Sequence, residues 1–460
     1  MDAPRTSPHR ALDVSRRGLI GAAAATAAAT ALPWATAAPA SAAAPADTAI
    51  PSPADLPLTG GPDFPVGTFW PPHPFASTPE RYAEVREAGF DFIISGNYAG
   101  DGNIFQHQLR IAADTGLKML ISDDIQVRNM SRWFSISDNP ADSLSVTPAE
   151  ADALYKRAAD AYGPYASLAG FNFYDEPGAG WFPSLARALQ IARARTPGLL
   201  PYVNLFPSTD ANYYQSFVDV VKPSLVSFDR YPLLSGGRED ADYFRNWAAV
   251  RKAALSADLP AWVFIQTLLY DNHRTPTAAE LLWQINISLA YGAKGIQYFT
   301  YWTPEAARGE GFGPALITVE GERTERWYAA RDINTAWLHP VGRELKPLLP
   351  ETVTHANEPT LPAGAVGFTP GGGLVGITGQ PVVLGTFTSR DTAVADRWVL
   401  VANRWHNAAA RATLTVDPVT VAAVDVFDPA RGAFRATTDH RYVDVGLAPG
   451  EAVLLKLRAR

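Results

Sequence analysis

From Phe64 to about Leu348, short apolar runs alternate with stretches whose apolar residues recur at three- and four-residue spacing. The runs are Val66–Trp70, Phe92–Ser95, Lys118–Ser122, Gly170–Tyr174, Pro201–Leu205, Leu225–Phe228, Ala261–Gln266 and Gly295–Tyr301, and they read as strands. The spacing between them predicts helices over 79–88, 103–115, 148–163, 181–195, 210–221, 240–256, 277–291 and 323–343. Thr147-Pro148-Ala149-Glu150 and Thr277-Ala278-Ala279-Glu280 match the capping box, in which hydroxyl and carboxylate satisfy the first orphan amides. Leu281, Ile285 and Leu289 then line one face of the seventh helix. Eight strand–helix units in about 285 residues predict a (β/α)8 barrel. An open doubly wound sheet would more often lead from its first strand into a glycine-rich phosphate loop. Here the first strand runs into Trp70-Pro71-Pro72-His73-Pro74, a stiff aromatic segment.

The pattern changes after Leu348. Helical spacing ends, and short runs recur between turn signals such as Pro370-Gly371-Gly372-Gly373 and Pro449-Gly450. The runs are Ala365–Phe368, Val375–Ile377, Val382–Phe387, Trp398–Ala402, Ala412–Val416, Ala422–Phe427, Arg441–Val445 and Ala452–Leu457. They predict an all-β sandwich over 349–460 whose role is to pack on the barrel at 60–348. The expected fold class is thus α/β, a (β/α)8 TIM barrel followed by a C-terminal β-sandwich. Residues 1–46 read as an address. Ser15-Arg16-Arg17-Gly18-Leu19-Ile20 places twin arginines before an alanine-rich run, and Ala40-Ser41-Ala42 and Ala44-Pro45-Ala46 are small-residue cleavage sites. That is the layout of a Tat-type export signal, so the expected location is secreted, extracellular or at the cell surface. The run is shorter than the roughly 20 apolar residues a membrane span needs, so no span is expected in the mature chain.

Composition narrows the chemistry. The 460 residues carry a formal net charge of -7, which disfavours a protein that tracks nucleic-acid phosphates. There is no cysteine, so disulfides, thiol catalysis and thiolate metal sites are excluded. The eight histidines are scattered without HExxH spacing, and no metal or cofactor is expected. Gly-x-Ser-x-Gly, Walker and dinucleotide motifs are absent. Twelve Trp, 17 Tyr and 21 Phe are a high aromatic load, suited to stacking on sugar faces as well as to filling a core.

Active sites of such barrels lie at the C-terminal ends of the strands. The fourth strand ends in Asp175-Glu176-Pro177. Neighbours on a strand point to opposite sides, so one carboxylate is expected to face the mouth and the other to bond a loop. A nearby like charge raises the pKa of one of them, as a general acid requires. The sixth strand ends in Asp229-Arg230-Tyr231-Pro232, where Asp229 is a base, a nucleophile, a clamp on hydroxyls, or the partner of Arg230. Asp123 and Asp124 end the third strand, and Asp124 is a further candidate carboxylate. Trp70, Asn97, Tyr98, Asn204, Tyr231, Gln266, Tyr298, Tyr301 and Trp302 fall at other strand ends, as amides and rings that a polyhydroxylated ligand would use. Two carboxylates in an aromatic setting point to glycoside hydrolysis.

The segments Gly170–Pro177, Asp229–Pro232 and Ala293–Trp302 together resemble (β/α)8 glycoside hydrolases related to the bacterial beta-galactosidase type. The resemblance implies that Glu176 is the acid/base and that Asp175 stands where those enzymes carry Asn. It also implies a nucleophilic glutamate at the end of the seventh strand, where this chain has Gln266. Asp229, then Asp124, are left as the second carboxylate, with Glu305 and Glu310 beyond the eighth strand as outside candidates. Two functions follow: a secreted glycosidase acting on an oligo- or polysaccharide, or a glycan-binding or cell-wall-associated protein on a barrel that no longer cleaves. Sugar, linkage and oligomeric state are not encoded in any motif found.

Overall fold

The computed structural model describes residues 50–96 and 100–460; the expected leader at 1–46, with Asn97 and Tyr98, lies outside the described residues. Eight parallel strands close a barrel in sequential order: β1 (Val66–Phe69), β2 (Phe92–Ile94), β3 (Lys118–Ser122), β4 (Leu168–Asp175), β5 (Leu200–Leu205), β6 (Val226–Asp229), β7 (Ala261–Gln266) and β8 (Ala293–Phe299). Helices α1 (Pro79–Glu87), α2 (Gly102–Asp114), α3 (Pro148–Tyr162), α4 (Phe182–Arg195), α5 (Ala211–Val221), α6 (Tyr243–Ser256), α7 (Ala278–Ala290) and α8 (Glu325–Ile333) follow them in turn. Both capping boxes form, at Thr147 with Glu150 and at Thr277 with Glu280.

Strand alternation divides the core in two. Phe92, Ile94, Leu120, Leu200, Tyr202, Trp262 and Phe264 fill the barrel, with Leu56 from the preceding segment among them. Ile93, Ile121, Phe171, Val203, Val263 and Ile265 face outward into the helix layer. Strands buried on both faces must be apolar throughout, which is why they stand out in the sequence.

The last helix is interrupted. A π-turn at Asn334–Leu338 separates α8 from α9 (His339–Leu345). Pro340, which has no N–H to donate, sits in the first turn of α9. The Asn334 amide is buried and donates to the Ala88 carbonyl at 2.9 Å, while its oxygen accepts from the Tyr298 hydroxyl at 2.7 Å. Those two bonds hold the widened turn in place.

The C-terminal strands are β9 (Leu349–Ala356), β10 (Leu374–Gly379), β11 (Val382–Thr388), β12 (Arg397–Asn403), β13 (Ala410–Val416), β14 (Val421–Asp428), β15 (Ala433–Ala436), β16 (Tyr442–Leu447) and β17 (Ala452–Ala459). They build a six-stranded antiparallel sheet ordered β9-β11-β12-β17-β14-β15 and a three-stranded one ordered β10-β13-β16. The apolar pattern missed β9 and β15, the two edges of the larger sheet, where one side is wet and polar residues are tolerated. The run at Ala365–Phe368 makes only an isolated bridge, Gly367 to His355.

Thr48–Arg460 form one unit. The apolar layer outside the barrel continues into Val383, Phe387, Trp398, Leu400 and Leu454 of the larger sheet. Indole and amide donors cross the junction: Trp283 to the Arg404 carbonyl at 2.9 Å, Asn286 to Gly450 at 2.8 Å and Trp398 to Glu344 at 2.7 Å. Two glycines allow the approach. A Cβ on Gly385 would lie 2.3 Å from the Ala290 carbonyl, and one on Gly450 2.2 Å from that of Ala279, so both ends of α7 touch bare backbone. Gly385→Val is therefore expected to cost about 3 kcal/mol or more by forcing the sheet off α7. Differential scanning calorimetry checks this; a variant with unchanged Tm would show that the junction is not load-limited at α7.

Candidate functional site

The site begins with a kink in β4. Its register with β5 shifts between Asn172 and Tyr174, so one extra residue is inserted. Arg132 holds the insertion: its guanidinium donates to the carbonyls of Phe173 (3.1 Å) and Asn172 (3.2 Å) and to Asp123 (2.8 Å). The Ser131 hydroxyl also donates to the Phe173 carbonyl, at 2.6 Å. The shift turns Asp175 into the barrel mouth beside Asn172, Asn204 and Asp229.

Glu176 comes next and leaves the strand. Its φ is 59°, the left-handed region that costs an L-residue roughly 1–2 kcal/mol. Trp70 (φ 54°) and Asp123 (φ 70°) share that conformation, each immediately after a barrel strand. Two bonds hold the turn: the Glu176 amide donates to the Asn204 carbonyl at 2.9 Å, and the Tyr213 hydroxyl to that of Pro177 at 2.6 Å. Strand alternation therefore does not apply to Glu176, and the expectation of one carboxylate in and one out is corrected. Asp175 and Glu176 both act on Asp229, and Glu176 is the larger of the two charge effects on it.

Asp229 ends β6 with its side chain inward. Burial, then the charges of Glu176 and Asp175, hold its carboxyl well above the usual carboxylate range. Its Oδ1 is buried with no hydrogen-bond partner. Arg230 does not neutralise it, because that guanidinium binds Asp240 through two bonds of 2.6 and 2.9 Å. Like charges brought this close favour the protonated form of Asp229. Among the described residues, no three acidic or histidine side chains are gathered as the ligand set of a metal ion.

Beneath the carboxyls lies a polar layer of which the sequence reading found only Asn204 and missed Tyr202, Ser227 and Gln297. The Tyr202 hydroxyl bonds Ser227 (2.7 Å) and donates to Gln297 (3.0 Å), the Ser227 hydroxyl donates to Asn204 (3.1 Å), and the Asn204 amide reaches Asp175 (3.4 Å). Counting back by twos from Asp229 and Asn204 reaches Ser227 and Tyr202, so strand phase was the available signal. A hollow of about 30 Å³ opens between this layer and the rings of Phe69, Tyr231, Phe264 and Phe299. Phe299 stacks on Phe69 (centroids 6.0 Å, 17°) and on Tyr231 (5.3 Å, 26°).

The other candidates divide. Asn204 and Tyr231 line the hollow. Trp70 stacks on Phe69 at 5.6 Å, covered by Arg308 at 4.4 Å from its ring. Asp124 is spent elsewhere: it accepts from the amides of Gln126 (2.8 Å) and Val127 (3.0 Å) and from the Tyr162 hydroxyl (2.7 Å), as the cap of a short helix facing the outer layer. Gln266 is fully buried, with its amide bound to Leu233 and Arg274 of two loops. Tyr298 is out of phase with the mouth, and Tyr301 and Trp302 lie beyond the end of β8 and turn away from it. Tyr298 bonds Asn334, Tyr301 accepts from Trp327, and Trp302 lies under Arg81. The inward residues of β8 are Gln297 and Phe299 instead. Glu305 and Glu310 sit on the loop beyond, 3.5 Å from His73 and 3.1 Å from Arg308 respectively.

No protein-family model and no curated sequence matches the chain. Solved structures do resemble it in shape. A candidate alpha-galactosidase from Bacteroides fragilis aligns at 10% identity over 86% of this chain and 80% of its own, with a TM-score of 0.48. A xylanase of glycoside hydrolase family 30, subfamily 8, from Clostridium acetobutylicum aligns at 11% identity over 86% and 96%, with a TM-score of 0.43. An HpcH/HpaI aldolase from Desulfitobacterium hafniense aligns at 12% over 52% and 87%, at 0.34. A barrel fold does not fix a chemistry, so the reaction has to be read from the site itself.

The raised carboxyl gives a sign-defined prediction. Asp229 in the unfolded chain ionises near pH 4, whereas the folded protein keeps the proton to higher pH. Folding therefore binds protons, and stability falls as pH rises through the folded pKa. Asp229→Asn removes that penalty and is expected to raise Tm at pH 7 by about 2 °C or more, with the gain vanishing near pH 4. Thermal melts at the two pH values measure it; a Tm at or below wild type at pH 7 would disprove the buried like-charge pair.

Proposed function

We propose that the chain is a secreted glycoside hydrolase that cleaves an O-glycosidic bond of an oligo- or polysaccharide with the proton held between Glu176 and Asp229. The observation that carries the reading is that paired carboxyl, set at the C-terminal mouth of a barrel and walled by aromatic rings. Burial and like charge keep a carboxyl protonated where a general acid needs it. Glu176, the member on the turn, delivers the proton to the leaving oxygen, and Asp229 behind it is the reservoir. The motif likeness to the beta-galactosidase type supports Glu176 in that role, and the twin-arginine leader supports export.

The hollow is water-sized, so a sugar ring lies over it rather than inside. Asp175, tied to Asn204, stands beside that hollow and takes the proton of the attacking water. Direct attack by water inverts the anomeric centre. The second reading, sugar binding without cleavage, is favoured by one observation: the seventh strand ends in a buried glutamine bound to loops, not in a carboxylate.

Glu176→Gln is expected to lower glycan cleavage by about 10²–10⁴-fold with little change in Tm. Reducing-end release from a panel of plant, fungal and bacterial glycans measures it. Full activity in that variant ends the assignment, and saccharide binding without release in the wild type selects the second reading. For a cleaved glycan, proton NMR of the first-formed product is expected to show the inverted anomer; retention would require a covalent nucleophile and reassign Asp175.

A further inference from the structure

A second cavity lies at the opposite end of the barrel, where β7 and β8 begin. It encloses about 460 Å³ between residues 52–62, the end of α6, the segment after α9 and the loop between β11 and β12. Five cationic side chains line it, Arg251, Lys294, Arg343, Lys346 and Arg390, against one acid, Asp258. Four of the five already have partners. Arg390 grips Asp258 through two bonds of 2.8 Å, and Arg343 binds Asp63 at 2.6 Å. Lys346 donates to the carbonyls of Gly60 and Asp63 at 2.8 and 2.7 Å, and Lys294 to those of Leu345 and Leu348 at 2.6 and 2.7 Å.

Arg251 is the exception. It is 9% exposed and makes no hydrogen bond or ion pair with the described residues. Trp262 lines the same cavity, and its buried indole N–H has no acceptor. An adjoining hollow of about 200 Å³ continues past Arg251 on its other side. A buried guanidinium without an anion is costly, and its planar fork of donors matches tetrahedral oxyanions and carboxylates. The surrounding field has the same sign. Burial, then Arg390, Arg251 and Lys346, push the Lys294 ammonium down to about 7. Leu255, Leu259, Pro347 and Pro350 give the cavity an apolar wall, and its volume exceeds what a bare ion would fill.

We propose that this cavity binds a small organic oxyanion, a phosphate or sulfate monoester, with its head group on Arg251 and its body against the apolar wall. The ligand supplies the acceptor that the fold withholds from Arg251 and offsets the excess positive charge around Lys294. The site is separate from the mouth, so its occupancy is independent of whether the mouth cleaves glycans.

The test titrates the purified protein with inorganic phosphate, inorganic sulfate, phenyl phosphate and phenyl sulfate. Sodium chloride at equal ionic strength is the control, and the readouts are Tm and calorimetric binding. The oxyanions are expected to raise Tm saturably beyond chloride, with the phenyl esters binding about tenfold more tightly than the bare ions. Whichever head group binds better identifies the ester class. Arg251→Met is expected to weaken binding at least tenfold while melting no lower than wild type in chloride, because it removes a buried unpaired cation. Arg251→Lys, which keeps the charge and loses the fork, is expected to weaken binding several-fold and covers the case in which the methionine variant does not fold. Equal responses to oxyanions and chloride, or full oxyanion binding in either variant, would overturn the proposal.

Discussion

Two carboxyl groups held close together in a largely buried place resist being ionised at the same time. The contact between Glu176 and Asp229 imposes that constraint on this barrel, and much of the surrounding structure exists to enforce it. The extra residue in β4 is held by Arg132 and Ser131. The left-handed turn at Glu176 is held by the Asn204 carbonyl. Arg230, the one cation adjacent in sequence to Asp229, is drawn off by Asp240. Each of these would be an odd local choice alone. Together they bring like charges together in a buried place, which is how a fold raises the pKa of a carboxyl.

Much of this was legible in the sequence. Strands buried on both faces write themselves as apolar runs, so all eight barrel strands and the two capping boxes could be read directly. Asp229 and Asn204 could be read because they stand at strand ends with the right phase. The failures were failures of phase and of backbone. Tyr298, Tyr301 and Trp302 attracted notice as rings, but alternation along β8 sends Tyr298 outward and Phe299 in. Asp124 carries a carboxylate at a strand end, yet one residue further on it became a helix cap. The inserted residue in β4 and the positive φ of Glu176 leave no trace in composition, because nothing distinguishes a glutamate in the left-handed region from one on a strand. Those two features turned an expected in-and-out pair into a converging one.

The rigidity needed for such a pair comes from the scaffold. The polar layer of Tyr202, Asn204, Ser227 and Gln297 is closed on itself by hydrogen bonds, so its members cannot swing to relieve the carboxyls. The C-terminal sheet bears on the same strands from outside through α7, where two glycines bring backbone against backbone. Gln266 belongs to this frame. Its side chain ties the loops after β6 and β7, and the amide of Gln284 from α7 holds its backbone carbonyl. The residue at the end of the seventh strand is thus a brace between mouth and sheet.

The two ends of the barrel pose one problem with opposite signs. At the mouth, Glu176 and Asp175 both bear on Asp229, whose carboxyl is held well above its usual range. At the base, cations surround a cavity and one of them, Arg251, has neither a counter-charge nor a carbonyl acceptor among the described residues. Ion pairs satisfy many charges elsewhere in this protein, as at Arg323 with Glu84 and Glu87 or Arg404 with Glu239 and Glu358. Pairing was therefore within reach of the chain, and its absence at Arg251 is a property of that end of the barrel. Unrelieved charge in a folded protein lowers stability and persists where something from outside completes it. A proton completes the mouth, because carboxyls accept one readily. Arginine cannot shed its proton near neutral pH, so at the base the completing species has to be an anion.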